Sequence, residues 1–186
     1  GSGRSAPLAS GCAMLWFVPA ALPMRYKIPE SVLVVIHTPD LQVLLIERAD
    51  RPGYWQSVTG SLDAEDEPLP MTAAREVAEE TGLIASRYSL TDWQHTIDYE
   101  IYPQWRHRYA PGITRNTEHW FGLCVPAPMP VTLAPREHLR FEWLPWQAAA
   151  ARCFSSSNAE AVRQLAWRVA GGQGAGLDVT NGAAAP

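Results

Sequence analysis

The most informative part of this chain is the segment GSLDAEDEPLPMTAAREVAEETGL, which runs from Gly60 to Leu83. It places three glutamates, Glu76, Glu79 and Glu80, within five residues of one another. Two carboxylates four residues apart on a helix repel each other, at a cost of roughly a few tenths of a kcal/mol in water. The segment is therefore either the solvated acidic face of an amphipathic helix or a set of carboxylates that converge on a cation.

The segment predicts a helix over residues 70–81. Pro70 suits the first helical turn, and Gly82 suits the left-handed residue that often follows a helix. On a helical wheel, one apolar face suited to packing against strands is made by Pro70, Ala73, Ala74, Val77 and Thr81. Two of the three glutamates are four residues apart and share a neighbouring face, and the third lies at the edge of that face.

A divalent metal would turn this repulsion into attraction. Mg²⁺ prefers oxygen ligands and also binds substrate phosphates, so Glu76 and Glu80 are the predicted metal ligands, and Mn²⁺ accepts the same oxygens. Glu79 could bind the metal or take a proton from a metal-bound water. Arg75 is expected to point away from this face and to hold Glu67 in the preceding loop.

Strands are predicted on both sides of this helix. Residues 32–37 and 42–47 are rich in β-branched residues and flank the turn formers Pro39 and Asp40, which predicts a buried hairpin. Further elements are predicted as strands at residues 54–59, 88–100, 102–109, 118–125 and 140–144, and as a helix clearest at residues 159–169. These elements fit one domain, residues 24–170.

The composition of the chain excludes several classes of function. Of its 186 residues, 47% are apolar and 18% are charged, so it can form a hydrophobic core. Its formal net charge is −4, and no basic field exists that would attract nucleic acid in general. An anionic substrate would therefore need local basic residues or a divalent metal. The sequence leaves the oligomeric state open.

The two ends of the chain are predicted to lie outside the folded domain. Residues 1–23 have the character of a leader, and their apolar run at residues 14–22 is too short to span a membrane. Residues 171–186 are small and polar, which predicts a disordered tail. The three cysteines are widely spaced and form neither a zinc pattern nor a disulfide pattern, so the cytoplasm is the expected location.

The segment from Gly60 to Leu83 resembles the Nudix box, G-x5-E-x7-R-E-U-x-E-E-x-G-U, in which U is an aliphatic residue. The fixed positions of the box are matched by Gly60, Glu67, Arg75, Glu76, Val77, Glu79, Glu80, Gly82 and Leu83. One departure is that six residues, not five, separate Gly60 from Glu67. If Asp66 took the acidic position instead, five residues would separate it from Gly60, but eight rather than seven would precede Arg75. The resemblance implies an α+β Nudix fold, an α/β/α sandwich with a mixed central β-sheet.

Segments outside the box resemble the bacterial dihydroneopterin triphosphate pyrophosphatases of folate synthesis, over residues 24–169. They are YKIPESVLVVI, YWQSVTGS, RHRYAPGITRNTEHWF and EHLRFEWL. The resemblance implies Mg²⁺-dependent cleavage of this small-molecule triphosphate to the monophosphate and pyrophosphate, with Glu137 as the further metal ligand and Glu118 and Glu142 as its competitors. The alternatives are a hydrolase of dATP or a related nucleoside triphosphate, and a non-catalytic Nudix sensor, against which the intact carboxylates argue.

The same resemblance implies which residues bind the substrate. They are Lys27, Arg48, Thr59, Tyr99, Glu100, Ile101, Tyr102, Glu137 and Ser155. Ordinary surface charge, or core positions in an alternating strand, would explain several of them equally well. Arg106, His107, Arg108 and Arg115 form either a basic patch beside the triphosphate or ion pairs within a rigid loop. The tryptophans, Trp105 among them, are expected in the core and are given no role in the site.

Overall fold

A mixed sheet of seven strands forms the centre of the computed structural model, which describes residues 25–171. The predicted leader and all but the first residue of the predicted tail lie outside the described residues. The strands are β1 (Glu30–His37), β2 (Gln42–Arg48), β3 (Trp55–Gln56), β4 (Val58–Ser61), β5 (Ser89–Glu100), β6 (Arg115–Cys124) and β7 (His138–Pro145). The helices are α1 (Leu69–Thr81), α2 (Trp146–Arg152), α3 (Ser156–Arg163) and α4 (Leu165–Val169).

Strand β1 lies in the middle of the sheet and has partners on both sides. It runs parallel to β6 and antiparallel to β2 and β4, so the sheet is mixed. The strand order is β3-β2-β1-β6-β5, with β7 paired to β2 and β4 paired to β1. The predicted hairpin of β1 and β2 is present, and its register pairs His37 with Val43. The first half of β1 pairs instead with β4, which brings Gly60 into the sheet beside Val32.

The alternation of side chains along β1 divides the core between the two faces of the sheet. Val32, Val34 and Ile36 pack on the face that α1 covers, whereas Leu33 and Val35 pack on the face that α2, α3 and α4 cover. Burial on both faces stabilises the strand by roughly 25 cal/mol per Å² of apolar surface. The predicted α/β/α sandwich with a mixed central sheet is therefore confirmed.

Helix α1 begins and ends close to the predicted positions. The N–H of Gly82 donates to the carbonyl of Ala78, and Gly82 has a φ of 72°, which glycine adopts without strain. The predicted apolar face is partly wrong, because Pro70 is exposed and Ala74 is only half-buried. The buried residues of α1 are Thr72, Ala73, Glu76, Val77, Glu80 and Thr81. Two carboxylates therefore lie on the buried side of this helix.

Two predicted strands differ from the structure. The strand predicted at residues 102–109 is wrong, because Pro103–Arg108 forms a 3₁₀ helix. Pro103 has no N–H to donate to a sheet, and Nε of Arg106 donates to the carbonyl of Ile101 at 3.0 Å, which holds the turn. The strand predicted at residues 54–59 is divided at Ser57 into β3, which pairs with β2, and β4, which pairs with β1 and continues through Gly60.

The helix predicted at residues 159–169 is present as two helices, α3 and α4, which meet at Gln164. Helix α3 begins earlier than predicted, at Ser156, because the hydroxyl of Ser155 accepts a hydrogen bond from the N–H of Asn158. No helix within residues 25–171 is long and apolar enough to cross a membrane.

Candidate active site

An open cleft of about 2360 Å³ brings the predicted site residues together. It is lined by Lys27, Arg48, Thr59, Glu76, Glu79, Glu80, Tyr99, Glu100, Ile101, Tyr102, Glu137 and Ser155. These residues include every predicted site residue, although they come from both faces of the sheet and from the loops between strands. The cleft exceeds the roughly 300–1,000 Å³ of a typical small-molecule pocket, so it has room for an extended substrate.

The carboxyl group of Glu76 occupies the space beside Gly60 on β4. A Cβ atom on Gly60 would lie 1.9 Å from Cδ of Glu76 and 2.1 Å from its Oε1. Any side chain at position 60 would therefore displace this carboxyl group. The absence of a Cβ lets the helix α1 bring its acid directly against the strand.

Glu80 lies one helical turn further along α1 and is almost fully buried. Its Oε2 accepts a hydrogen bond of 3.3 Å from the N–H of Thr59. The side chain of Thr59 faces a different partner, because its Oγ1 accepts from Nε2 of Gln56 at 3.3 Å. Strand β4 thus orients both acids. Gly60 leaves space for the carboxyl group of Glu76, and the N–H of Thr59 donates a hydrogen bond to Glu80.

Burial and mutual repulsion raise the pKa of both acids. Burial raises the pKa of Glu76 to about 7, against the influence of Arg75, and the nearby Glu79 adds to the rise. Burial also raises the pKa of Glu80 well above its ordinary value, and the charges of Glu76 and Glu137 raise it further. A cation in this pocket would oppose both shifts in pKa, because its charge would favour the ionised carboxylates.

Glu137 approaches Glu80 from the loop before β7, together with a residue that the sequence analysis missed. One ligand atom from each of Glu80, Glu137 and His138 lies within 4.8 Å of the others. The N–H of Ala49 donates to the carbonyl of Glu137 at 2.8 Å, which ties this loop to the end of β2. Burial, with the nearby charge of Arg48, lowers the pKa of His138 to about 4, so its imidazole is neutral. The only sequence signal for His138 was its position next to Glu137.

Arg75 braces the acidic helix against the preceding loop. Its Nη2 and Nε donate to the two carboxylate oxygens of Glu67 at 2.8 and 3.0 Å, which is the predicted pairing. The expectation that Arg75 points away from the metal face is wrong, because Nη1 donates to Glu76 at 2.9 Å and lies 3.3 Å from Glu79. The planar guanidinium has five donors, so one arginine can serve the loop and the helix at once.

Basic side chains face the acidic pocket across the cleft. Arg48 is fixed in place, because it donates two hydrogen bonds of 2.8 Å to Asp50 and stacks 4.5 Å above the ring of Trp105. Arg108 lies 3.6 Å from the same Asp50. Lys27 is close enough to both arginines, and to the acids of α1, for their charges to influence its pKa. This cluster carries a net positive charge and suits an anionic group held between it and α1.

The segment at residues 99–102 contributes to the cleft in several ways. Tyr99 is half-buried, and its hydroxyl lies near Asn116 and Ser31, which share a hydrogen bond of 2.7 Å. Ile101 is buried, and Glu100 is exposed and lies 3.6 Å from Arg106. Tyr99 and Ile101 therefore pack inward, as an alternating strand predicts, and both side chains also border the cleft.

Tyr102 belongs to an aromatic cluster at the mouth of the cleft. Tyr54 and Phe154 stack with ring centroids 4.8 Å apart, and Tyr102 lies 5.5 Å from Trp105 and 6.1 Å from Phe154. The expectation that Trp105 lies in the core is wrong, because it is only half-buried, and its ring lines the cleft and lies 4.5 Å from the guanidinium of Arg48. Sequence analysis missed Tyr54 and Phe154, which lie far apart in the chain and carry no local signal.

The other residues weighed for the site lie in different surroundings. Glu142 is exposed and pairs with Arg152 at 2.8 Å. Glu118 is buried and lies beside Trp120 on the sheet face opposite α1. Three of the four basic residues at 106–115 line the cleft, namely Arg106, Arg108 and Arg115. Arg106 also lies 3.6 Å from Glu100, so the two interpretations both apply to it.

Comparison with known proteins assigns the family. A model of the Nudix domain matches residues 27–165, which is most of the chain. The chain belongs to the Nudix family. It is 47% identical over 143 residues to dihydroneopterin triphosphate diphosphatase of Escherichia coli strain K12, covering 75% of this chain and 93% of that protein. It is 43% identical over 148 residues to the protein of the same name from Haemophilus influenzae, covering 78% and 92%.

The fold agrees with that of a solved Nudix relative. The structure of the E. coli dihydroneopterin triphosphate pyrophosphohydrolase matches with a TM-score of 0.71 at 46% identity, over 77% of this chain and 98% of that chain.

The Nudix box of this chain carries its additional residue in the loop between β4 and α1. Arg75 pairs with Glu67, and its guanidinium lowers the pKa of that carboxyl to about 2. Asp66 is exposed in the loop. Glu67 therefore occupies the acidic position of the box, and the extra residue lengthens the loop without moving the helix positions.

Nudix hydrolases use a divalent metal ion, and the acidic pocket of this chain fits one. The carboxylate oxygens of Glu76, Glu80 and Glu137 are hard donors, which divalent cations of this kind prefer. Within residues 25–171, Nδ1 of the buried His138 has no hydrogen-bond partner, which leaves a nitrogen donor next to the same cluster. The buried like charges and this unpartnered nitrogen are what a bound cation would satisfy.

Proposed function

We propose that this chain hydrolyses dihydroneopterin triphosphate to dihydroneopterin monophosphate and pyrophosphate, with Mg²⁺ as its metal, as a step of folate synthesis. One observation carries the proposal. The cleft joins an acidic pocket at Glu76, Glu80 and Glu137, suited to a metal and a triphosphate, to an aromatic region suited to a flat ring. The relatives that share 43–47% identity carry the name of this activity, which supports the assignment of substrate.

The proposed metal ligands are Glu76, Glu80 and Glu137. A bound Mg²⁺ neutralises phosphate charge and lowers the pKa of a coordinated water. The protein holds two of these ligands through β4, whose Gly60 and Thr59 orient them. Mn²⁺ has the same preference for oxygen and is the alternative metal.

The proposed role of the basic cluster is to bind the triphosphate. Lys27, Arg48 and Arg108 offset its charge, and Asp50 with Trp105 holds the guanidinium of Arg48 so that little conformational freedom is lost on binding. In the reaction, a water oxygen forms a bond to phosphorus while the α,β-anhydride bond breaks. The pyrophosphate leaves with the bonding electron pair, and the proton of the water passes to a base. Glu79 is exposed beside the two buried acids and is placed to accept this proton.

The proposed ring site lies between residues 99–102 and the start of α3. The rings of Tyr54, Tyr102 and Phe154 offer flat apolar surface for stacking, and Ser155 follows at the cap of α3. A purine triphosphate such as dATP has a ring of similar size and is the second candidate substrate. A sensor without catalysis is disfavoured, because binding alone does not require two buried acids, Glu76 and Glu80, beside a third carboxylate at the phosphate end.

The proposed location is the cytoplasm. The two cysteines within the described residues, Cys124 and Cys153, are free thiols, which fits a reducing compartment.

The test of this proposal is product identification by ³¹P NMR. Purified protein is incubated with dihydroneopterin triphosphate and Mg²⁺, and the expected products are one monophosphate ester and one pyrophosphate. Release of orthophosphate in place of pyrophosphate would contradict the proposed cleavage of the α,β-anhydride. Turnover that persists unchanged in EDTA would contradict the role of the metal.

A further inference from the structure

One buried carboxyl group in the described part of the cleft has no part in the proposed chemistry. Glu118 lies on β6, is 3% exposed and lines the cleft. Within residues 25–171, no lysine, arginine or histidine forms an ion pair with it. A buried acid without a cation is disfavoured unless hydrogen bonds or a ligand offset its burial.

Glu118 lies on the side of the sheet opposite the metal pocket. The register pairs it with Ile97 on β5 and with Ser31 on β1, so it shares a face with Tyr99 and Trp120. This is the face that α2, α3 and α4 cover, whereas α1 and its acids cover the other. Glu118 is therefore placed away from the triphosphate end of the cleft.

Glu118 lies near side chains of two segments that are proposed to bind the ring. Tyr99 is near enough for the charge of Glu118 to raise the pKa of its phenol. Ser157 is near enough to Glu118 to lower the pKa of its carboxyl, and the hydroxyl of Ser157 lies 3.5 Å from that of Ser155. The side chains near Glu118 thus come from two segments proposed to bind the substrate, one at Tyr99 and one at the start of α3.

Glu118 retains hydrogen-bonding capacity that the protein does not use. The indole N–H of Trp120 donates to Oε1 at 3.0 Å, and the nearby Ser157 could occupy one further acceptor site. A carboxylate offers about four acceptor sites, so two remain for a ligand. Burial raises the pKa of Glu118 to about 7, and donors from a ligand would favour its charged form.

We propose that Glu118 is a specificity residue that accepts hydrogen bonds from the adjacent ring N–H and amino group of a 2-amino-4-oxopyrimidine edge. This inference rests on the proposed function, since it assigns the part of the cleft that recognises the ring. A dihydropterin carries these two donors side by side, and a carboxylate can accept both at once. Guanine presents the same pair of donors.

Adenine lacks this pair of donors. Its Watson–Crick edge places an acceptor nitrogen beside the amino group, so one carboxylate oxygen would face a lone pair. Glu118 therefore favours pterin and guanine triphosphates over dATP, which is the competing substrate. A bidentate contact to the correct base edge is commonly associated with roughly ten- to hundredfold discrimination.

The competing explanation is that Glu118 only ties β6 to α3 through Trp120 and Ser157. These two explanations differ in what they predict for different substrates. A structural tie affects all substrates alike, because its loss changes the shape of the cleft. A contact to the ring changes the ratio between substrates.

The test replaces Glu118 with glutamine, which keeps the size and removes one acceptor oxygen. We expect Glu118→Gln to lower the ratio of kcat/KM for dihydroneopterin triphosphate over dATP by about ten- to a hundredfold. The matched control is Glu47→Gln, because Glu47 is also 3% exposed but pairs with Arg140 and does not line the cleft. This control should leave the ratio unchanged. An equal fall for both substrates in Glu118→Gln would overturn the proposal.

Guanine separates this inference from the proposed function. If the wild-type protein ignores the pterin but prefers dGTP to dATP, and Glu118→Gln removes that preference, the proposed substrate fails while the role of Glu118 stands. If the pterin is the preferred substrate and Glu118→Gln keeps that preference, the proposed substrate stands and the proposed role of Glu118 fails.

A second measurement needs no variant and covers the case in which Glu118→Gln does not fold. The wild-type protein is assayed with dGTP and with dITP, which lacks only the 2-amino group. We expect kcat/KM to be at least about fivefold higher for dGTP, because dITP leaves one acceptor of Glu118 without its donor. Equal values for the two nucleotides would contradict the proposed contact.

Discussion

A Cβ atom on Gly60 would lie 1.9 Å from Cδ of Glu76, so the strand leaves room for the acid. We predict that Gly60→Ala displaces this carboxyl group from the metal pocket. Misplacement of a catalytic group by about 1 Å can lower the rate roughly a hundredfold, and we expect a fall in kcat of that order. Steady-state kinetics at saturating Mg²⁺ would measure it.

The control for this change is Gly112→Ala. Gly112 has a φ of 87° and nothing within 4 Å of the added methyl group, so only backbone strain of about 1–3 kcal/mol is introduced. This variant should lose stability and keep kcat. A Gly60→Ala protein with the kcat of the wild type would show that Glu76 does not need its observed position.

The second prediction concerns the buried acid Glu80. Because burial and the charges of Glu76 and Glu137 disfavour its ionised form, Glu80→Gln should not destabilise the metal-free protein. We expect it to lower kcat by at least about a thousandfold, since a ligand of the metal is lost. It should also remove the rise in Tm that Mg²⁺ gives the wild type.

An exposed acid provides the comparison for Glu80. Glu142 pairs with Arg152 on the surface at 2.8 Å, and Glu142→Gln should change neither kcat nor the effect of Mg²⁺ on Tm. If Glu80→Gln turns over substrate at the rate of the wild type, the assignment of Glu80 to the metal is wrong.

The third prediction concerns the two neighbouring acids at the start of the Nudix box helix. Glu67 accepts two hydrogen bonds from Arg75, whereas Asp66 is exposed in the loop. Glu67→Gln should lower the free energy of unfolding by about 2 kcal/mol, because charged hydrogen bonds are lost. Asp66→Asn should change it by less than about 0.5 kcal/mol. Urea unfolding of both variants would measure this difference, and equal effects would contradict the assignment of the extra residue to the loop.

The fourth prediction is a dependence of stability on pH through Glu118. Burial raises the pKa of this carboxyl from 4.5 to about 7 on folding, so the folded state binds the proton more tightly than the unfolded state. The contribution of Glu118 is therefore greatest below pH 4.5 and is lost as the pH rises through 7. Between pH 6 and pH 8 the wild type should lose about 1.3 kcal/mol more than Glu118→Gln.

Urea unfolding at pH 6, 7 and 8 measures this prediction. Subtracting the curve of Glu118→Gln from that of the wild type removes the contributions of the histidines and of the metal-site acids, which both proteins share. Parallel pH profiles for the two proteins would show that Glu118 does not hold its proton more tightly in the fold.

Local patterns were sufficient to predict the helix that carries the metal-site acids. Pro70 and Gly82 mark its ends, and its period places Glu76 and Glu80 on one side, because helix geometry depends on neighbouring residues alone. The prediction of a strand at residues 102–109 was wrong because it gave the aromatic residues of this segment more weight than Pro103. A proline in that position removes a donor that a strand would need.

Contacts between distant segments were not accessible from one sequence. His138 approaches Glu80 because β7 pairs with β2, and Phe154 stacks on Tyr54 because the segment after α2 returns to the end of β3. Glu118 was weighed only as a metal ligand, because nothing local shows which face of β6 meets α1. These placements depend on the order of the strands in the sheet.

The central claim is that the cleft is built for dihydroneopterin triphosphate. The measurement that tests it most directly is kcat/KM with Mg²⁺ for dihydroneopterin triphosphate beside dATP and dGTP, with pyrophosphate detected as the product. We expect the pterin to be preferred over both nucleotides, and over dATP by at least about tenfold. A higher kcat/KM for dATP would contradict the assigned substrate, and no pyrophosphate from any of the three would contradict catalysis itself.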